Sequence, residues 1–195
     1  DTDIAHQLKN VALMISGGMK TKVYVVTQDF FDTHAHQVQP GNTTSGLHAN
    51  LLKTVSDAIL AFQNDLKAQG LQKRVIGVSL SEFGRQIKSN ASFGTDHGTA
   101  APLFLFGACA KPQILGSTPV IPAVVPDQEG VAMQYDFRDV YGSLLQDWFG
   151  ADITTVKNVF YTGFKYLDLI APACKIIPMT TGTDTTAIAG KEVIT

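Results

Sequence analysis

Apolar residues recur along this chain with two different periods. Over Asp1 to Gly18, the residues Ile4, Leu8, Val11, Ala12 and Ile15 share one helical face. That spacing predicts a helix, with Thr2 or Asp3 as its cap and Gly17-Gly18 as its stop. From Leu47 to Gln69 the signal is stronger. Leu47, Leu51, Val55, Ile59, Phe62 and Leu66 follow one another at spacings of four, four, four, three and four, and Gly70 ends the run. A third helix is predicted over Asp136 to Phe149. Asp136 would cap it, Phe137, Val140, Leu144, Leu145 and Trp148 would bury it, and Gly150 would end it.

Between these helices lie short runs rich in β-branched and aromatic residues. Lys22 to Thr27 (KVYVVT), Arg74 to Leu80 (RVIGVSL) and Pro102 to Phe106 (PLFLF) are predicted as buried strands. Lys111 to Gln134, rich in proline and valine, reads as loops and short edge strands. Lys157 to Leu169 fits either a strand or a helix, and the Thr-rich stretch Thr180 to Thr195 fits a terminal strand or a linker. The strand, long helix and strand between Lys22 and Leu80 make a βαβ unit, whose crossover is expected to be right-handed and its strands parallel. The predicted class is therefore α/β, with residues 1–170 in one domain and residues 171–195 as a terminal strand or linker.

Three polar islands adjoin the predicted strands: Phe31-Asp32-Thr33-His34-Ala35-His36, Ser81-Glu82-Phe83-Gly84-Arg85 and Gly94-Thr95-Asp96-His97-Gly98. They hold three of the five histidines. Carboxylate oxygens and imidazole nitrogens suit a hydrolytic divalent cation, and strand ends are where an α/β sheet places its chemistry. Asp32 and His34 are two apart, so in an extended segment their side chains share a side. Asp32 and His36 are four apart, a usable spacing if the loop turns helical. The βαβ reading brings Asp32, His34 and Glu82 to one sheet edge. Glu82 suits a metal ligand or a general base, and Arg85 suits a partner for Glu82 or a bidentate clamp on an anion. Each island also has a plain structural reading: an Asx turn with surface histidines, a strand-ending salt bridge, a glycine-flanked turn. His48 opens the long helix, where it reads as a surface histidine or as a donor behind the site. Ser79 and Ser81 lack the G-x-S-x-G setting of a serine hydrolase, and a doubly wound nucleotide binder would need a glycine-rich phosphate loop that is missing here.

The net charge of -2 and pI near 6.2 give no footprint for nucleic acid. No apolar run is long enough to span a membrane. Cys109 and Cys174 form no CxxC pair, which argues against a thiolate zinc site and leaves a disulfide and two buried thiols both open.

In this order and context the motifs are specific. F-D-T-H at Phe31 to His34, H-x-x-L-L at His48 to Leu52, A-F-x-x-D-L at Ala61 to Leu66, R-V-x-x-x-x-x-S-E-F-G-R at Arg74 to Arg85, G-T-D-H-G at Gly94 to Gly98 and D-F-R at Asp136 to Arg138 closely resemble the bacterial family catalogued as domain of unknown function 1501. The resemblance runs over about residues 1–150. That family is placed near the alkaline phosphatase and sulfatase superfamily. The resemblance therefore implies a three-layer α/β/α sandwich with a mostly parallel sheet, here the C-terminal portion, incomplete at the N-terminus. It implies a divalent metal (Zn, Mn, Ca or Mg) and hydrolysis of small anionic phosphate or sulfate esters. It also implies export to the periplasm or cell surface. Carried over by position, Asp32, His34, Glu82, Asp96 and His97 look like metal-site residues, with Glu82 and Arg85 in catalytic roles. Family members are about twice this length, so the N-terminal half of the same precursor is an expected partner and the fragment alone is expected to be inactive. The alternative expectation is a non-catalytic secreted or cell-surface domain that keeps the fold.

Overall fold

A computed structural model describes residues 2–176; the Thr-rich stretch Thr180 to Thr195 lies outside them. The chain divides into two compact units, one ending at Asp136 and one beginning at Phe137.

In the first unit, α1 (Asp3–Ser16) packs on α2 (Leu47–Ala68). The α1 face is the one its spacing predicts, with Ile4, Leu8, Val11, Ala12 and Ile15 all buried. Thr2 stands at the N-cap, where its side chain makes no capping bond, and Gly17 takes the C-cap. On α2 the buried line is Ala58, Phe62 and Leu66, with Val55 and Ile59 partly covered beside it. Leu47, at the head of the predicted stripe, is 49% exposed. Ala58 begins this line at 5% exposed, and Leu66 has no exposed surface.

The strands depart from expectation. Four two-residue strands make two antiparallel pairs: β1 (Gly77–Val78) with β4 (Leu105–Phe106), and β2 (Gly84–Arg85) with β3 (His97–Gly98). The class is mixed α and β, and among the described residues no parallel sheet or three-layer sandwich forms. Segment 22–27 shows why. A strand of a parallel sheet is buried on both faces and bonded along its backbone. Here Tyr24 and Val26 pack toward the α1–α2 core, while Val23 and Val25 are 67% and 76% exposed. The amide of Gln7 takes the place of a neighbouring strand, donating to the Thr27 carbonyl and accepting from its N–H, each at 2.9 Å. The segment is extended but is not part of a ladder.

The second unit contains α3 (Phe137–Phe149), α4 (Ile153–Val159) and a short 3-10 turn, Pro172–Cys174. The side chain of Asp152 caps α4, accepting from the Thr154 and Thr155 N–H groups at 3.0 Å each. The region left open between strand and helix is therefore a helix up to Val159 and irregular beyond it. Three buried polar residues on α3, four apart, hold that irregular part. Asp139 accepts from the Tyr161 hydroxyl and from the Lys165 N–H (2.8 Å), Ser143 accepts from the Leu167 N–H (2.8 Å), and Asp147 accepts from the Tyr166 hydroxyl (2.8 Å) and Lys175 (3.0 Å). Lys175 is held well above the ordinary lysine range by its hydrogen bonds to Asp168 and Tyr166, against the opposing effect of burial.

Neither Cys109 nor Cys174 is a free cysteine. Among the described residues no helix is long and apolar enough to cross a membrane.

Candidate metal centre

The second and third islands pair with each other. Arg85 stands opposite His97 and Gly84 opposite Gly98 in the β2–β3 register. Directly opposed residues project to the same face, so this pairing alone brings the Arg85 guanidinium and the His97 imidazole together. The first island is docked on them from two directions. Behind it, the first free N–H groups of α2 bond back to its loop, Leu47 to the His36 carbonyl and His48 to the Gln37 carbonyl, both at 3.2 Å. Gly46 makes this possible, since its φ is +130° and a Cβ there would meet the Gln37 carbonyl oxygen at 2.5 Å. In front, residues 90–94 run along residues 34–38, with His36 N–H bonding the Ser92 carbonyl (2.9 Å) and Val38 N–H the Phe93 carbonyl (3.2 Å).

Gly94 is the closest point of this contact. A Cβ there would lie 2.1 Å from the His34 carbonyl oxygen, a backbone atom with no freedom to move aside. Gly94→Ala is therefore expected to cost about 1–3 kcal/mol, as overpacking does, and to weaken cation binding in the same variant. Urea unfolding and zinc titration check it. Three non-glycine residues have positive φ beside these segments: Phe30 at 74°, His36 at 53° and Phe93 at 56°. Strained backbone of this kind persists where the surrounding structure over-determines it.

At the junction of the islands, three ligand-type atoms form a tight triangle. Asp32 Oδ1 is 2.8 Å from His97 Nε2 and 3.0 Å from His34 Nε2, and the two Nε2 atoms are 3.0 Å apart. All three side chains are about half exposed. Behind His34, its Nδ1 meets Asp96 Oδ1 at 3.1 Å. An ionised carboxylate only accepts, so in a neutral His34 this bond puts the proton on Nδ1 and leaves a lone pair on Nε2. The triangle then contains one hydrogen at most, that of His97, for three short edges. A cation held by all three atoms resolves that deficit. Nitrogen and oxygen ligands of zinc, about 2.0–2.1 Å from the ion, stand about 3.3 Å apart at tetrahedral angles. The observed edges are within a few tenths of an ångström of that. The carboxylate behind a ligand histidine is the usual outer partner of such a site.

Arg85 holds Asp32 in place. Its Nη2 donates to Asp32 Oδ1 (3.0 Å) and to the Phe31 carbonyl (2.7 Å), and its Nη1 donates to the Thr95 carbonyl (2.6 Å). The guanidinium thus ties the first island to the third. Bonds from His97 first, then the nearby His34 and Arg85, hold the Asp32 carboxyl below its ordinary 3.8 in spite of an opposing desolvation effect. Bonds from Asn90 and His34 do the same for Asp96. Both carboxylates stay ionised throughout the neutral range. The stability this confers is complete above 3.8 and is lost as pH falls through the lowered values.

Of the residues expected from sequence, Asp32, His34, Asp96, His97 and Arg85 come together. Glu82 does not. Phe83 and Arg85, two apart, both face the cluster, whereas Glu82 is exposed and stands outside the ligand group. His36 also lies outside that group. His48 lies against the edge of Phe31, with ring centroids 5.8 Å apart. Its imidazole is pushed below the ordinary value by burial and then by the Arg85 charge. Two residues that the sequence does not single out complete the site. Phe83 stacks flat on His97, with centroids 3.6 Å apart, and Asn90 bridges the His34 carbonyl and Asp96. The signal for Asn90 was present as an Asx-type turn, Asn90-Ala91-Ser92-Phe93-Gly94.

Residues 11–145 match the model of a family described as a protein of unknown function, DUF1501. The chain belongs to the DUF1501 family. The match includes all three islands and ends within α3. No curated protein and no solved structure matches the chain. In this DUF1501 protein, Asp32, His34 and His97 form a group able to hold a metal ion.

Proposed function

We propose that this DUF1501 chain carries a divalent-cation centre on Asp32, His34 and His97, and that the centre serves hydrolysis of small anionic phosphate or sulfate esters. The observation that carries the reading is the triangle of ligand atoms, with edges of 2.8–3.0 Å, the spacing at which three atoms can share one ion. Asp32 Oδ1 and the two Nε2 atoms would hold the ion, a mixed oxygen and nitrogen set suited to zinc or manganese. Such an ion, when bound, polarises an ester oxygen and lowers the pKa of a water.

The chain's own residues have definable parts. Asp96 fixes the proton of His34 on Nδ1. Arg85 uses its donors on Phe31, Asp32 and Thr95, so its part is to fix the Asp32 carboxylate. Phe83 covers one face of His97 and limits the ways the ring can turn. The finer reading, that of the C-terminal portion of an exported alkaline phosphatase-like hydrolase, rests on the motif resemblance. Under it, the nucleophile and the remaining ligands belong to another part of the precursor.

The test is hydrolysis of p-nitrophenyl phosphate and p-nitrophenyl sulfate by the full precursor, with and without added zinc or manganese. Activity that chelation removes and Asp32→Ala abolishes supports the reading. A precursor that binds the ion but cleaves neither ester overturns the hydrolase part and leaves a non-catalytic surface domain.

A further inference from the structure

We propose that Asn90 is a positioning residue of this centre, whose side-chain amide joins the His34 main chain to the Asp96 carboxylate and so decides which nitrogen of His34 is free to bind a cation. The inference rests on the proposed cation site but makes a claim about the metal-free chain that can be tested separately.

The orientation of Asn90 is forced by its partners. Its Nδ2 donates to the His34 carbonyl at 2.8 Å and to Asp96 Oδ1 at 3.1 Å. Its Oδ1 accepts from the Ser92 N–H at 2.9 Å and the Gly94 N–H at 3.1 Å. Two acceptors lie on one side and two donors on the other, so a flipped amide would break all four contacts. The Asn90 N–H closes the turn on the Gly94 carbonyl at 2.8 Å.

These bonds have different jobs. The Oδ1 contacts build the turn that carries Gly94 against His34. The Nδ2 contacts act across the turn. The same Asp96 oxygen that receives the Asn90 amide also receives His34 Nδ1. With Nδ2 in place, Asp96 Oδ1 is held over Nδ1, and the His34 ring is fixed at its backbone end as well, through its own carbonyl. Without Nδ2, Asp96 is free to rotate about its side-chain bonds. The proton of His34 can then move to Nε2, the atom that faces Asp32 and His97. A proton there occupies the position that a cation needs.

The experiment uses the 195-residue chain with Asn90→Ser. Serine keeps an oxygen acceptor for the Ser92 and Gly94 N–H groups but supplies no amide donor. Heteronuclear NMR of the imidazoles, in metal-free protein at about pH 8, reads the protonated nitrogen of His34. The expected result is Nδ1–H in the parent chain and a mixture with Nε2–H in the variant. Zinc titration is expected to show affinity lowered about ten- to a hundredfold, the usual loss for an outer partner of a ligand histidine, with unchanged helix content. Asn90→Asp, which keeps the turn acceptor and faces Asp96 with a second oxygen, is expected to behave alike. An unchanged His34 tautomer and unchanged zinc affinity in a folded variant would overturn the proposal. So would failure of both variants to fold, since Asn90 would then be holding the turn alone. If the parent chain binds no zinc, the cation site fails, and the NMR result still decides the role of Asn90.

Discussion

Asp139→Ala should destabilise the unit that begins at Phe137 by about 3–5 kcal/mol. Asp139 is 4% exposed, and its carboxylate accepts from the Tyr161 hydroxyl and the Lys165 N–H. Hydrogen bonds to a charged acceptor contribute about 1.5–3 kcal/mol each, and an alanine side chain accepts neither of the two. Asp139→Asn keeps the volume and one acceptor oxygen, so it should cost less than half as much. Trp148 lies in α3 and is the chain's single tryptophan, so urea unfolding followed by its fluorescence reports on this unit. A loss below about 1 kcal/mol, the size of one ordinary net hydrogen bond, would mean that the α3 polar stripe does not hold residues 161–167.

The second large effect falls on cation affinity. Asp32→Ala and His97→Ala each remove a corner of the triangle and should each lower zinc affinity by more than about a hundredfold, beyond the loss typical of an outer partner. Asp96→Asn should fall inside the outer-partner range, because Asp96 meets His34 at Nδ1, away from the triangle. Glu82→Ala is informative for the opposite reason. The family resemblance places Glu82 among the metal-site residues, whereas its side chain is exposed and outside the ligand group. Unchanged affinity is expected. Isothermal titration measures all four variants, and their order is the prediction.

How far the sequence reveals this molecule depends on what each pattern encodes. Helix periodicity encodes a face, and the five α1 core residues are the five its spacing names. On α2 the face is right but rotated by one position at its centre. The small Ala58 is buried in the core with α1, and a pattern weighted to large residues passes over it. Strands were harder. An apolar run encodes burial but not its partner, so KVYVVT looks like a central strand although one side is exposed and a glutamine amide satisfies its end. Lys157 to Leu169 is ambiguous because it begins in the end of α4 and continues as irregular chain whose Lys165 and Leu167 N–H groups bond to α3 side chains, which leaves no single period to read.

The site was more legible than the sheet. Short D-x-H and D-H pairs name ligand chemistry directly, and four of the five expected metal-site residues meet. Topology was the missing step. The parallel crossover put Asp32, His34 and Glu82 together, but the contact that assembles the site is the antiparallel pairing of Arg85 with His97. Asn90 spends its carbonyl oxygen on the Ser92 and Gly94 N–H groups and Phe83 has no ligand atom, so both are visible only through what they touch.

The central claim is that Asp32, His34 and His97 share one cation. Zinc titrated into the metal-free 195-residue chain, with the bound ion counted after gel filtration, tests it most directly. One ion per chain is expected, absent in Asp32→Ala at unchanged helix content. No bound ion in the folded parent chain, or one equally tight in Asp32→Ala, would contradict it.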